Sequence, residues 1–216
     1  MITQIRQKND FLISIVVPVF NEENGINTFI QSIETELLPH GYTYEIIFIN
    51  DGSNDQTEAM IKKNIFINKK IKLVNFSRNF GKDIALTAGL DFADGDAVIP
   101  MDADLQHPPK IIKQMIGKWL KGYDIVNAQR SHKDQETFLK QSFSKLFYKL
   151  FNALSKTPIP SKTGDFRLID REVILNLRKL KETHRFMKGL FSWVGYNQVT
   201  ISFDLSLIHI SEPTRR

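Results

Sequence analysis

Short runs of β-branched and aliphatic residues alternate with amphipathic stretches through the first 130 positions of the chain. "ISIVVPV", "YEIIFIN", "IKLVNF", "DAVIPM" and "YDIVNAQ" are each too short for a helix and too uniformly apolar for a surface strand. Between them, "INTFIQSIETELL", "QTEAMIKKNIF", "GKDIALTAGLDFA" and "PPKIIKQMIGKWLKG" carry apolar residues at helical spacing, and prolines suit the first turn of the last one. Apolar strands alternating with helices predict an α/β fold, a mostly parallel sheet with helices on both faces. Ligands of such sheets bind beyond the carboxyl ends of the strands. Asn21-Glu22, Asp51, Arg78 and the pair Asp102 and Asp104 all follow predicted strands directly, so the pattern predicts that they share one edge.

Beyond residue 135 the character changes. "ETFLKQSFSKLFYKLFNALSK" sets Phe143, Phe147, Leu150 and Leu154 near helical spacing with Lys140, Lys145, Lys149 and Lys156 between them. A basic amphipathic helix of this kind can lie on an anionic membrane surface or pack its apolar stripe on the domain. The last twelve residues, "LSLIHISEPTRR", break the preceding pattern and resemble a translated sequencing adapter; the natural chain is expected to depart from this one near Asp204. The expected organisation is a nucleotide-sugar-binding core over 1–135, an acceptor-side, membrane-proximal part of the same catalytic domain over 136–204, and a non-native tail over 205–216.

Composition narrows the chemistry. The chain has no cysteine, which excludes disulfides and thiol or cysteine–zinc chemistry. Its N-terminal apolar run is too short, and too soon broken by Pro18, for a signal peptide or membrane span. A net charge of +5 favours anionic partners, nucleotides and phospholipids among them. Nucleic acid ranks last, because no recognised binding module accompanies the charge.

The candidate chemistry lies in the loops. In an extended segment Asp102 and Asp104 would point the same way and meet one cation, with Gln106 adding an amide oxygen. Hard oxygen ligands of this kind suit Mg²⁺ or Mn²⁺ together with diphosphate oxygens. Asp51 can accept hydrogen bonds from a nucleobase or ribose, and Asp55 can cap the next helix. Pro18, Val19 and Glu22 of "PVFNEE" can line the same pocket. Arg78 and Lys82 flank a glycine at a helix start, a natural place for an anion. Asp165 and Arg167 lie on either side of Phe166 in "TGDFRLID"; the first can orient a hydroxyl and the second meet a phosphate. His107 is read as structural.

Together, "VVPVFNEE", "EIIFINDGSND", "SRNFGKDIALTAGLDFADGDAVIPMDADLQHPP", "TGDFRLIDR" and "RFMKGLFSWVGY" closely resemble the family-two, GT-A-fold polyprenyl-phosphate glycosyltransferases. Bactoprenol glucosyltransferases and dolichol-phosphate mannose synthases are members. Five motifs in order, over residues 12 to 203, carry the resemblance. It implies an inverting, metal-assisted transfer of a sugar, glucose from UDP-glucose by preference, from a nucleotide diphosphate sugar to a polyprenyl phosphate. That chemistry would run on the cytoplasmic face of a membrane. In the family pattern Asp102, Asp104 and Gln106 hold the divalent metal, and Pro18, Glu22 and Asp51 hold the nucleoside. Arg167 lies near the acceptor phosphate, and Asp165, Arg167 and Asp104 form the catalytic set. Where the family often has Asp-Asp before Gly-Ser, this chain reads Asn50-Asp51, so only Asp51 is carried over. GDP-mannose, another UDP-sugar, or a catalytically silent nucleotide-sugar-binding scaffold are the competing readings, and homo-oligomerisation is left open. The family's basic segment and C-terminal membrane helices have no counterpart after "VTISFD". The resemblance therefore predicts donor binding by this chain with little transfer.

Overall fold

A computed structural model describes Arg6 and residues 10–130, 166–179 and 195–203. The expected basic helix over 136–156, Asp165, most of "RFMKGLFSWVGY" and the tail over 205–216 lie outside the described residues. Strands β1 (Leu12–Val19), β2 (Thr43–Asn50), β3 (Ile71–Asn75), β4 (Ala97–Pro100) and β5 (Ile125–Arg130) coincide closely with the five apolar runs. Helices α1 (Ile26–Leu37), α2 (Thr57–Ile67), α3 (Lys82–Phe92) and α4 (Ile111–Leu120) fill the expected gaps. Pro108 and Pro109 sit just ahead of α4. Their carbonyls accept the amides of Ile111 and Ile112, so they form the turn that leads into the helix and not its first turn.

Two strands and one helix lie beyond the five runs and four amphipathic stretches read from the sequence. β6 (Arg167–Asp170) and β7 (Gln198–Phe203) join the same sheet, and α5 (Arg171–Arg178) follows β6 directly. The strand order is β3-β2-β1-β4-β6-β5-β7. β6 runs antiparallel to both β4 and β5, and all other pairings are parallel. Four residues are too few to show alternation, and β6 is buried at every position, so its pattern merges with that of a loop. Tertiary contacts fix it instead. Asp170 accepts from the Glu172 amide at the start of α5 and from the Trp119 indole of α4 at 2.7 Å, and pairs with Arg6 at 3.0 Å.

The sheet is covered on both faces. Ile13, Ile15, Val17 and Val19 of β1 pack with α1, α2 and α4 on one side. Val16, with Ile47 and Ile49 of β2, meets α3 and α5 on the other. Strand alternation explains the division, since successive side chains of β1 point to opposite faces. The chain leaves β1 for β2 and β3, then returns through α3 to β4 on the far side of β1. That reversal opens a crevice between the carboxyl ends of β1 and β4.

Helix α3 can lie this close to β1 because position 89 is glycine. A Cβ there would sit 2.2 Å from Val16 Cγ1 and 3.2 Å from Ile49 Cγ1. Gly89→Val is expected to destabilise the fold by about 2 kcal/mol or more through overpacking; a urea midpoint lowered at unchanged slope measures it.

Candidate active site at the carboxyl edge of the sheet

Three loops meet above β1, β2 and β4. The turn after β1 and the turn after β2 are fastened to each other by short polar side chains. Ser53 Oγ accepts the Asn21 amide at 2.9 Å, Asn21 Oδ1 accepts the Asn54 amide at 2.9 Å, and Thr57 Oγ1 accepts the Glu22 amide at 2.8 Å. Asn21 itself takes a left-handed φ of 57°, a conformation that asparagine tolerates better than most residues. Asp55 is not the cap of α2, a position Gln56 occupies. It lies one residue earlier and accepts the Thr57 amide and hydroxyl as well as the Glu23 amide.

Asp51 joins the second loop to the third. Only 4% of its surface is exposed, and its two oxygens accept the amides of Phe80 at 2.7 Å and Gly81 at 2.9 Å. Gly52, at φ 71°, lets this contact form, since a Cβ on it would lie 2.4 Å from the Arg78 carbonyl carbon. Arg78 lies over the Phe80 ring at 4.4 Å. The sequence presented Asp51 as a group facing a nucleoside; in the fold both of its oxygens hold the start of α3.

Lys82, the first residue of α3, reaches across to the loop after β4. Its ammonium straddles the Asp102 carboxylate at 2.7 and 2.8 Å. The expected extended course of 102–106 is not what the chain adopts. Asp104 accepts the Gln106 amide at 3.0 Å, and Leu105 turns into the left-handed region at φ 57°, so the segment forms a tight turn. Burial of Ala103 and part of Leu105 in the core below drives that turn, leaving Asp104 and Gln106 exposed.

Glu22 faces this turn from the β1 side. A Cβ placed on Gly25 would lie 3.5 Å from Glu22 Oε2 and 3.6 Å from the Ala103 carbonyl, which shows how near the two loops come. Partial burial, and then the carboxylates of Asp104, Asp102 and Asp55, hold the Glu22 carboxyl above its ordinary value. Unlike disulfide or zinc chemistry, such a collection of carboxylates suits a hard divalent cation with outside oxygens completing its shell. No group of three or more acidic or histidine side chains converges tightly enough among the described residues to hold an ion by itself.

Below the turn is a cleft lined by Pro18, Lys82, Leu86, Pro100, Met101, Asp102, His107 and Phe166. Within its lining Phe166 stacks on His107, with ring centroids 4.9 Å apart and planes 17° apart. Arg167 is buried at the start of β6, on the sheet face opposite Phe166 by strand alternation. Pro18, Glu22, Asp51, Arg78, Lys82, Asp102, Asp104 and Gln106 therefore share one edge, and Val19, buried in the core, supports it from below. Asp165 lies outside the described residues. Leu86 and Phe166 escaped the sequence reading because apolar cleft walls look like core.

The profile of glycosyl transferase family 2 matches residues 14–178. The chain belongs to that family. The family-2 chain is 49% identical over 185 residues to the bactoprenol glucosyl transferase of Shigella phage SfV, covering 85% of this chain and 60% of that protein. It is 50% identical over 192 residues to an uncharacterized glycosyltransferase of Synechocystis, covering 89% and 60%. The chain thus spans about 60% of the length of the curated relatives it matches. Among solved structures it superposes with a TM-score of 0.62 on the mannosyltransferase PcManGT of Pyrobaculum calidifontis in complex with GDP-Man and Mn²⁺ (19% identity, 94% of this chain, 59% of that one). Glucosyl-3-phosphoglycerate synthase of Mycobacterium tuberculosis, in complex with Mn²⁺, UDP and its product, gives 0.55 at 20% identity over 90% of this chain and 70% of that one. These likenesses establish the GT-A, Rossmann-like fold of the family-2 chain.

Two outcomes test the geometry. Asp51→Ala removes the acceptor of two backbone amides and should cost about 1–3 kcal/mol in urea denaturation. For Glu22 the sign follows from its raised carboxyl. The stabilisation that protonation gives the folded state is complete below the ordinary glutamate value of 4.5 and is lost as pH rises through the higher folded value. Glu22→Gln should therefore melt above the unsubstituted protein at pH 7, and the gap should close toward pH 4 in a pH series of melting temperatures.

Proposed function

We propose that this edge binds a nucleotide diphosphate sugar together with Mg²⁺ or Mn²⁺ and transfers the sugar, with inversion, to a polyprenyl phosphate. Glucose from UDP-glucose is the favoured donor. The observation that carries this reading is the placement of Asp102, Asp104, Gln106 and Glu22 at the crevice between β1 and β4, in a chain about half identical to a bactoprenol glucosyl transferase. No helix among the described residues is long and apolar enough to cross a membrane. The membrane is reached, in this reading, by the acceptor-side part over 136–204. The protein works at the cytoplasmic face.

Asp102, Asp104 and Gln106 would hold the cation, which when bound neutralises the diphosphate and stabilises the charge that develops as the nucleoside diphosphate departs. Asp51, Pro18 and Glu22 fix the nucleoside end of the donor, with Arg78 and Lys82 turned toward its phosphates. The acceptor phosphate is already ionised at neutral pH, so no strong general base is required. Arg167 attracts that anion, Asp165 orients the sugar or acceptor, and positioning for in-line attack supplies much of the rate. Leu86, Met101 and Phe166 form the apolar wall that limits water at the reacting end.

Thermal shift against UDP- and GDP-sugars, with and without Mn²⁺, tests the reading. A shift of several degrees is expected only with Mn²⁺ and a UDP-sugar, and Asp102→Asn should abolish it. A shift with GDP-mannose instead reassigns the donor, and equal shifts without metal would overturn the metal-assisted mechanism.

A further inference from the structure

Lys82 occupies an unusual place for a cation. It is the first residue of α3, where the helix dipole disfavours positive charge, with Gly81 as the cap and no side-chain cap bond. Half of its side chain is exposed, yet it is not turned out to solvent; it engages both oxygens of Asp102, whose side chain is 32% exposed. Its backbone is set there by Asp51, through the amides of Phe80 and Gly81. Two loops and a helix start thus combine to deliver one ammonium to one carboxylate.

That carboxylate is also the one read as the first metal ligand. A hard divalent cation takes carboxylate oxygens at roughly 2.0–2.2 Å, and an ammonium spanning both oxygens leaves it no approach without like-charge repulsion. We propose that Lys82 is the resident counter-ion of the metal site. Before the donor arrives its ammonium neutralises Asp102, easing the repulsion among Asp102, Asp104 and Glu22. When the cation comes with its nucleoside diphosphate, Lys82 leaves Asp102 for the diphosphate oxygens, which an ammonium binds well. The free cation must displace Lys82 with nothing to receive it, whereas the cation accompanied by diphosphate provides Lys82 with a new partner. Metal and nucleotide therefore bind with positive coupling, and Lys82 carries part of it. The inference rests on the metal-assisted reading above.

Mn²⁺ binding, followed by the electron paramagnetic resonance signal of the free ion, tests it with and without UDP. Lys82→Met and Lys82→Gln should bind Mn²⁺ alone about two- to fivefold more tightly than the unsubstituted protein, the range expected for loss of a partly exposed ion pair. Lys113→Met, on an exposed position of α4, makes the same change in net charge and should leave the affinity unchanged. The factor by which UDP tightens Mn²⁺ binding should shrink in both Lys82 variants. Lys82 variants that bind Mn²⁺ alone no more tightly than Lys113→Met would overturn the inference while leaving the metal site intact. An unsubstituted protein that binds no Mn²⁺ even with UDP would overturn the metal-assisted reading and this inference together.

Discussion

Asp51 directly follows a strand buried from Tyr44 to Asn50, and both of its oxygens accept backbone amides from the loop that begins α3. Hydrogen bonds from amides to an ionised carboxylate are among the stronger ones in a protein, and this pair is shielded from water. The end of β2 and the start of α3 therefore move as one body. Because the β2 turn is also tied to the β1 turn through Ser53, Asn54 and Thr57, all three loops are set by the same few contacts. The position of Lys82, and through it the charge state around Asp102, depends on that framework.

The acidic turn above β4 is electrostatically unfavourable by itself. Glu22, Asp102 and Asp104 face one another across two loops, and burial first, then these neighbouring carboxylates, hold the Glu22 carboxyl above its ordinary value. Structures tolerate such clusters where a cation relieves them, and here the Lys82 ammonium spans both oxygens of Asp102. The contrast with Glu45 is instructive. That buried glutamate, at the opposite edge of the sheet, is satisfied by Ser14, Lys72 and the Asp94 amide in a closed network with nothing left to attract a ligand. Burial of a charge alone does not mark a site; an excess of like charge at an open crevice does.

Much of the framework was legible from residues alone. The apolar runs became strands because parallel strands covered on both faces need nearly continuous apolar sequence; β3, at the sheet edge, is fully buried only at Ile71. The convergence of Glu22, Asp51, Arg78, Asp102 and Asp104 followed from parallelism, since strands running one way put all their exits on one edge. β6 was hidden because four buried residues show no period, and its place between β4 and β5 depends on Asp170 meeting Trp119 and Arg6 from distant parts of the chain. The spacing of Asp102 and Asp104 predicts an extended course, whereas the burial of Ala103 that bends the segment is a property of the packed core.

Local sequence thus determined which segments are strands or helices and which residue types wait at their ends, because both depend on short-range periodicity and on loop chemistry. Only the tertiary structure decided which of those residues touch. Lys82 at the start of α3 and Asp102 in the loop after β4 are twenty positions apart, and Asp51 and Gly81 thirty; nothing in their spacing pairs them. They meet because the chain reverses direction across β1 and Gly89 lets α3 settle close against it. Side-chain chemistry is written residue by residue, but the neighbours that tune it are chosen by how the sheet and helices pack.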